Sequence, residues 1–390
     1  MKKRVLRYLK HITVTILTLA IAAILFGLYH GASVHYGDHP KQKDLSNEGP
    51  YVFYENDSIM SINYVKGNKN EGFYVDKTLH QSSKTTRVTC YFPLDDTTFE
   101  FDIKSDFESP KAIYNDGNKI LAISDIESGY KTFRDFLINS QVIDTKLNWT
   151  FGKGHLVLVG DFVDRGNSVT QVLWFIYKLE QEASKHGGQV HFILGNHELK
   201  NMYGDYEAAE HKYIAVSRIL GKQQYQLYDK NSFIGKWLSS KNTIERINGH
   251  LFVHGGIHPN LAKLSVDINA INNIVRKHYY QGYYPKQEAG IEQFLTATKT
   301  GPSWYRGYFK DDLSQDDIEL GLKKFDAKAV IVGHTIQTKV KRLFKGKVIA
   351  IDVQHPKDYH KNFPSGASEG LLIENNNYYR VLDDGRKKSI

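Results

Sequence analysis

The chain has one cysteine, Cys90, in 390 residues. An intramolecular disulfide is therefore excluded, and so is a cysteine cluster holding a metal. The lone thiol reads as a small buried apolar residue in a strand. Low-complexity segments are absent, and so is any internal repeat beyond an alternation of strands and helices. With 41% hydrophobic and 24% charged residues, 25 Tyr and 20 Phe, the composition is globular and excludes wholesale disorder. At this length the chain can bury a large core, as two domains or as one. A basic body is lacking too, although the formal net charge is +8. Lys2, Lys3, Arg4, Arg7 and Lys10 precede any acid, and without these five the chain carries 46 basic against 43 acidic residues. That near balance removes the basis for nucleic acid binding, and none is expected.

One long apolar run is present. Ile12 to Leu28 is broken only by Thr13, Thr15, Thr18 and Gly27. As a helix it reaches roughly 26 Å, enough to cross a hydrocarbon core. The basic residues before it would stay cytoplasmic and send the rest across, to the periplasmic or extracellular side. The alternatives are a cleaved signal peptide with a secreted product, or an amphipathic or buried helix. Gly31 and Ala32 are small, but His30 occupies the position three before such a cut, where a small residue is wanted.

Residues 1–30 are thus expected to be a basic end and membrane anchor, and 31–50, polar and rich in Gly, Asp and Lys, a linker. From 51 to 114 the texture is β, with runs such as Tyr51-Val52-Phe53-Tyr54 and Arg87-Val88-Thr89-Cys90-Tyr91-Phe92. This is expected to be a small β-rich module, an accessory layer or a separate domain. The texture changes near Asn115-Asp116-Gly117-Asn118, where a catalytic domain, 115–390, is expected. Three buried strands come next, over 119–124, 156–159 and 190–194, with helix faces between them. Tyr130, Phe133, Phe136 and Leu137 mark one such face, and Val169, Val172, Leu173, Ile176 and Leu179 another. The repeat of about 35 residues is that of βαβ units. Parallel strands present ligands at their carboxyl ends, so Asp125, Asp161 and Asn196 share one sheet edge. The irregular, tyrosine-rich stretch 262–300 is expected to hold helices and a lid or substrate wall, while Tyr279, Tyr280, Tyr283 and Tyr284 read more readily as packing than as recognition. Arg386-Lys387-Lys388 reads as a solvated tail.

The chemistry lies at the strand ends. Asp125, Asp161, Asn196, His254 and His334 each stand just after an apolar run, four of them beside glycine. Oxygen and imidazole donors suit hard or borderline metals, and glycines let an ion or phosphate approach the backbone. Gly160-Asp161-Phe162-Val163-Asp164-Arg165-Gly166 and Gly195-Asn196-His197-Glu198 are the most specific stretches. Val253-His254-Gly255-Gly256 and Val332-Gly333-His334-Thr335 support them.

In order and local wording these stretches resemble the calcineurin-like metallophosphoesterases, closest to the phosphoprotein phosphatase branch, over roughly residues 119–375. The resemblance implies a layered α/β sandwich, central mixed sheets flanked by helices. It implies two metal ions, with Mn²⁺ expected, or a combination of Fe, Zn and Mg. Asp161 would bridge them, Asp125 would sit on the first, and Asn196, His254 and His334 on the second. His197, oriented by Asp164, would protonate the leaving group. Arg165 would grip phosphate, with Arg306 of Trp304-Tyr305-Arg306-Gly307 as a second clamp. The activity implied is hydrolysis of phosphate monoesters by a metal-bound hydroxide, with no serine or cysteine nucleophile. The substrate would be a phosphorylated partner, either a phosphoprotein, as for a Ser/Thr phosphatase, or a nucleotide, dinucleoside polyphosphate or small phosphometabolite.

The sequence departs from the family at one ligand. The first motif usually reads Asp-x-His, and here it is Asp125-Ile126-Glu127. Glu127 either replaces the histidine as a ligand, or points away and leaves the first metal weak, or marks lost activity in a pseudo-phosphatase that binds a partner. Asp352, after a late buried strand, is read as standing behind a metal-bound histidine or as a turn residue. Glu198 is read as structural. The sequence leaves the oligomeric state open.

Overall fold

A computed structural model describes residues 2–29, 34–281, 290–310, 312–364 and 366–390. Helix α1 (Lys2–Tyr29) takes in both the basic end and the apolar run. Its described side chains are almost all exposed, and from Lys3 it is long and apolar enough to cross a membrane, a test a signal sequence also passes.

The segment expected as a linker is built into the body from Val34 onward. Strand β1 (Val34–Tyr36) pairs antiparallel with a late strand over Lys361–Phe363, and Leu45 and Glu48 are buried. A three-residue strand in polar sequence has too little alternation to be read. Strands β2 (Glu48–Tyr54), β3 (Ile59–Asn68) and β4 (Gly72–Gln81) form an antiparallel sheet. Strands β5 (Thr86–Phe92) and β6 (Thr97–Ile103) form a hairpin, on which Cys90 is buried as expected.

Strands β7 (Ile113–Tyr114), β8 (Ile120–Ile123), β9 (His155–Val159) and β10 (Gln189–Ile193) come after it, with α2 (Tyr130–Asn139) and α3 (Val169–Lys185) between them. Next come α4 (Asn196–Tyr203), α5 (His211–Ile219), α6 (Phe233–Ser239), β11 (Ile244–Ile247) and β12 (His250–Val253). Helices α7 (Ile268–Lys277), α8 (Ile291–Thr296) and α9 (Gln315–Lys324) lead to β13 (Ala329–Val332). The chain closes with β14 (Lys341–Leu343), β15 (Val348–Ala350), β16 (Lys361–Phe363), β17 (Glu369–Glu374), β18 (Asn377–Leu382) and β19 (Lys387–Ser389). The expected solvated tail is thus the edge strand β19, paired with β18.

Two mixed sheets form the centre. One has the order β10-β9-β8-β17-β18-β19, the other β14-β15-β13-β12-β11-β7. Strands β8, β9 and β10 are mutually parallel, as are β12, β13 and β15. Side-chain alternation explains why two sheets stack. Ile120, Ala122, Val157 and Val159 meet Phe252, Ile331 and Ile349 in a core between the sheets. Leu121, Ile123, Leu156 and Leu158 face outward into a second core, which includes Phe133, Phe136, Val172 and Ile176 of α2 and α3. The result is the expected layering of helices around two mixed sheets.

The β-rich module covers α3 from outside. Val52, Met60, Val88, Phe99 and Phe101 belong to the same core as Trp174 and Phe175. Phe101 stacks on Trp174 at 4.8 Å between centroids, and Trp174 Nε1–H donates to the Pro50 carbonyl at 2.8 Å. Sheet on one side and module on the other bury almost the whole first half of α3, polar Thr170 and Gln171 included.

Candidate active site

Asp125 and Asp161 come directly after β8 and near the end of β9, and Asn196 opens α4 after β10, so the first sheet delivers all three to one edge. The second sheet delivers His254 after β12 and His334 after β13 to the same place. Close approach of backbones makes this possible. At Gly160, with φ +79°, an added Cβ would stand 2.6 Å from both Gly195 Cα and His254 Nδ1.

Asp161, His254 and His334 are buried, and one donor atom from each lies within 4.8 Å of the others. His254 Nδ1–H donates to the Val159 carbonyl at 2.7 Å, which leaves Nε2 as the free ring nitrogen. Nε2 stands 3.1 Å from Asp161 Oδ2 and 3.2 Å from Asn196 Oδ1. With neutral imidazole, three electron-pair donors face one another, an arrangement that a cation satisfies. Without an ion, a proton takes the cation's place. Burial lowers the proton affinity of His254, but Asp161 and Asp125 outweigh it and raise the pKa to about 9. His334 donates Nε2–H to the Trp304 carbonyl at 3.0 Å, and its Nδ1 lies 3.3 Å from Arg306 Nη2. Burial, with His254 next, pushes the His334 pKa far down. The donor set therefore fits a metal ion.

A second concentration of acid lies beside it. Asp125 accepts the His334 backbone N–H at 3.1 Å. Burial, then repulsion from Asp352, raises its pKa well above the usual range. Asp352 is buried and raised likewise, by burial and then by Glu127 and Asp161. Two neighbouring buried carboxyls raised in this way are what cation ligands look like without their counter-charge. Glu127 is held by Arg165 at Oε1 and by Lys357 at Oε2. Burial disfavours its charge, but Lys357 and Arg165 prevail and lower the pKa.

The phosphate side is built on the Asp161–Gly166 loop. His197 Nδ1–H donates to Asp164 Oδ2 at 2.7 Å, and Asn201 holds the other Asp164 oxygen at 2.8 Å. His197 Nε2 accepts from Arg165 Nη2 at 2.9 Å. Burial lowers the His197 pKa, but Asp164 and Asp161 reverse this and raise it. Glu198 receives the backbone N–H groups of Asp161, Phe162 and Gly195 at 2.8–3.0 Å, the structural role read for it. Arg306 is bound to the His334 carbonyl and to Thr335 Oγ1.

Tyr279 is buried in the core and Tyr280 packs against it, the packing role read for them. Tyr279 and Tyr280 donate to the carbonyls of Lys241 and Gly235, and Tyr283 and Tyr284 lie outside the described residues. Lys357, by contrast, has no motif around it and was invisible in the sequence. Asp352 carried the same signal as the chosen ligands, an acid directly after a buried strand.

Comparison with known proteins agrees with this geometry. The model of the calcineurin-like phosphoesterase family matches residues 118–337. Shewanella-like protein phosphatase 2 of Arabidopsis thaliana is 24% identical over 344 residues, 75% of this chain and 82% of that protein. Shewanella-like protein phosphatase 1 of Plasmodium berghei is 28% identical over 228 residues, 56% of this chain, and the match spans 61% of that protein. Among solved structures, a cold-active protein-tyrosine phosphatase of a psychrophilic Shewanella superposes with a TM-score of 0.76 at 30% identity. That superposition covers 88% of this chain and 98% of the Shewanella chain.

Proposed function

The chain belongs to the calcineurin-like phosphoesterase family and is a metal-dependent phosphatase, and from that premise we propose that it uses two metal ions to hydrolyse phosphate monoesters on proteins. One observation carries the reading. The buried donors of Asp161, His254 and His334 converge where the His197–Asp164 pair and Arg165 also meet. Asp161, Asn196, His254 and His334 would hold one ion, and Asp125, Glu127 and Asp161 the other. When bound, such ions supply Lewis-acid charge for phosphoryl oxygens and make a water acidic enough to attack phosphorus near neutral pH.

The chain's own groups do the rest. Arg165 exchanges Glu127 and His197 for two phosphate oxygens, a match of planar forks that a lysine does not offer. That exchange frees His197 Nε2. Asp164 fixes the ring orientation through Nδ1 and favours the imidazolium, so the freed Nε2 takes up a proton from solvent and delivers it to the leaving oxygen. Arg306, next to His334, adds charge on the other side of the phosphate.

The Shewanella relative, described as a protein-tyrosine phosphatase, favours phosphotyrosine as a second reading beside phosphoserine and phosphothreonine. Helix α1 is proposed as the anchor of an extracytoplasmic enzyme. A screen of manganese-loaded protein over the three phosphopeptides, nucleotides and sugar phosphates tests the substrate class. His197→Ala is expected to lower kcat on the best phosphopeptide by roughly 10²–10⁴-fold. If wild type and His197→Ala hydrolyse an aryl phosphate equally poorly, a pseudo-phosphatase that binds a partner becomes the better reading.

A further inference from the structure

The segment Asp352–Tyr359 leaves β15 and crosses the turn that carries Asp125 and Glu127. Hydrogen bonds pin it on both sides of Lys357. His355 Nε2–H donates to the Ser124 carbonyl at 2.9 Å, and Thr132 Oγ1 donates to the Pro356 carbonyl at 2.9 Å. Asp358 Oδ2 accepts the Lys131 backbone N–H at 3.1 Å and the Ser168 hydroxyl at 2.9 Å. Ser124, Lys131 and Thr132 flank the Asp125–Glu127 turn, and Ser168 lies just beyond the Arg165 loop. His355 and Asp358 are buried. The backbone of Lys357 is therefore fixed against both halves of the site.

From that position its ammonium meets Glu127 Oε2 while the Arg165 guanidinium holds Oε1. The two cations have different second attachments and so different fates. Arg165 also reaches His197 Nε2 and belongs to the phosphate side. When it transfers to phosphate, Glu127 loses one of its two counter-charges. Glu127 shares its surroundings with Asp352, itself in repulsive reach of Asp161 and of Asp125. Until an ion is bound, a carboxylate there without a cation would be turned away by like charge. We infer that Lys357 is a positioning residue, which keeps Glu127 aimed at the first metal while Arg165 serves the phosphate. The inference rests on the reading that Glu127 is a metal donor.

Titration calorimetry with Mn²⁺ on the full chain in detergent separates the two ideas. Glu127→Gln tests the donor reading and is expected to lose one of two bound ions. Lys357→Met is expected to weaken one ion by roughly 10–100-fold and leave the other unchanged, the usual effect of losing a group behind a ligand. Lys357→Arg should restore most of the affinity, which a merely structural side chain would not require. Lys357→Gln repeats the loss with a polar side chain, should the Met variant fold poorly. If Glu127→Gln binds both ions like wild type, the donor reading fails and the role of Lys357 falls with it. If Glu127→Gln loses an ion but Lys357→Met and Lys357→Gln bind both normally, only the role of Lys357 is overturned. That role is equally overturned if Lys357→Arg binds no better than Lys357→Met.

Discussion

Asp125, Glu127, Ser128, Asp161, Asp164, Arg165 and His334 all have φ between 46° and 66°. For residues with a side chain this left-handed region costs on the order of 1–3 kcal/mol each. The cause is geometric, because a strand end must reverse within one residue to point a donor back over the sheet edge. Asp358 shows a different residue-scale cost, in charge. Burial pushes its carboxyl up to about 6, against 3.8 ordinarily, in spite of three backbone N–H groups and the Ser168 hydroxyl. Its proton is held more tightly folded than unfolded. The contribution of Asp358 to stability should therefore fall as pH rises from about 4 through about 6, and stay lower above, by about 3 kcal/mol. Asp358→Asn keeps an acceptor and carries no charge. It is expected to match wild type near pH 4 and exceed it near pH 7.5 in urea unfolding. A gap that stays the same at both pH values would refute this origin. The sequence made residues legible where local words exist. Asp161, Asn196, His254 and His334 stand beside glycines after apolar runs, whereas Lys357 and Asp358 act through a loop whose path no local pattern encodes.

At the scale of elements, α3 is the piece on which the molecule turns. Its core face was readable from Val169, Val172, Leu173, Ile176 and Leu179, all buried. Its opposite face, with Trp174, was not, because a helix covered on both sides has no polar stripe to mark it. Phe101→Ala would open a cavity against Trp174 and is expected to cost about 3–5 kcal/mol. Since the module and α3 share one core, calorimetry should show one unfolding transition, shifted down in the variant. Two separated transitions would make residues 51–114 an independent domain. A buried ion pair extends the connection. Lys212 Nζ lies 2.9 Å from Glu48 of β2 and donates to the Asn167 carbonyl at 2.8 Å. The module thus reaches the loop that carries Arg165. Strands β8, β9, β10, β12 and β13 were legible as short apolar runs. Strands β1, β14 and β19 have three residues each and owe their existence to neighbours that pattern does not reveal.

At the scale of the whole molecule, the family layering explains why donors 209 residues apart, Asp125 and His334, touch. If α1 is an anchor, the full chain should remain in the membrane pellet after alkaline carbonate washing, and recovery in the supernatant at full activity would rule that out. The pairing of β1 with β16 then has a consequence for where the enzyme can act. From Tyr29 to Val34 the backbone spans at most about 18 Å, and from Lys357 to Phe363, the partner of Val34, at most about 22 Å. Because β1 is stitched to β16, those two lengths are consecutive stretches of one short leash between lipid and catalytic turn. The enzyme would search a surface rather than a volume. It would meet phosphates displayed near the bilayer far more often than phosphates free in solution.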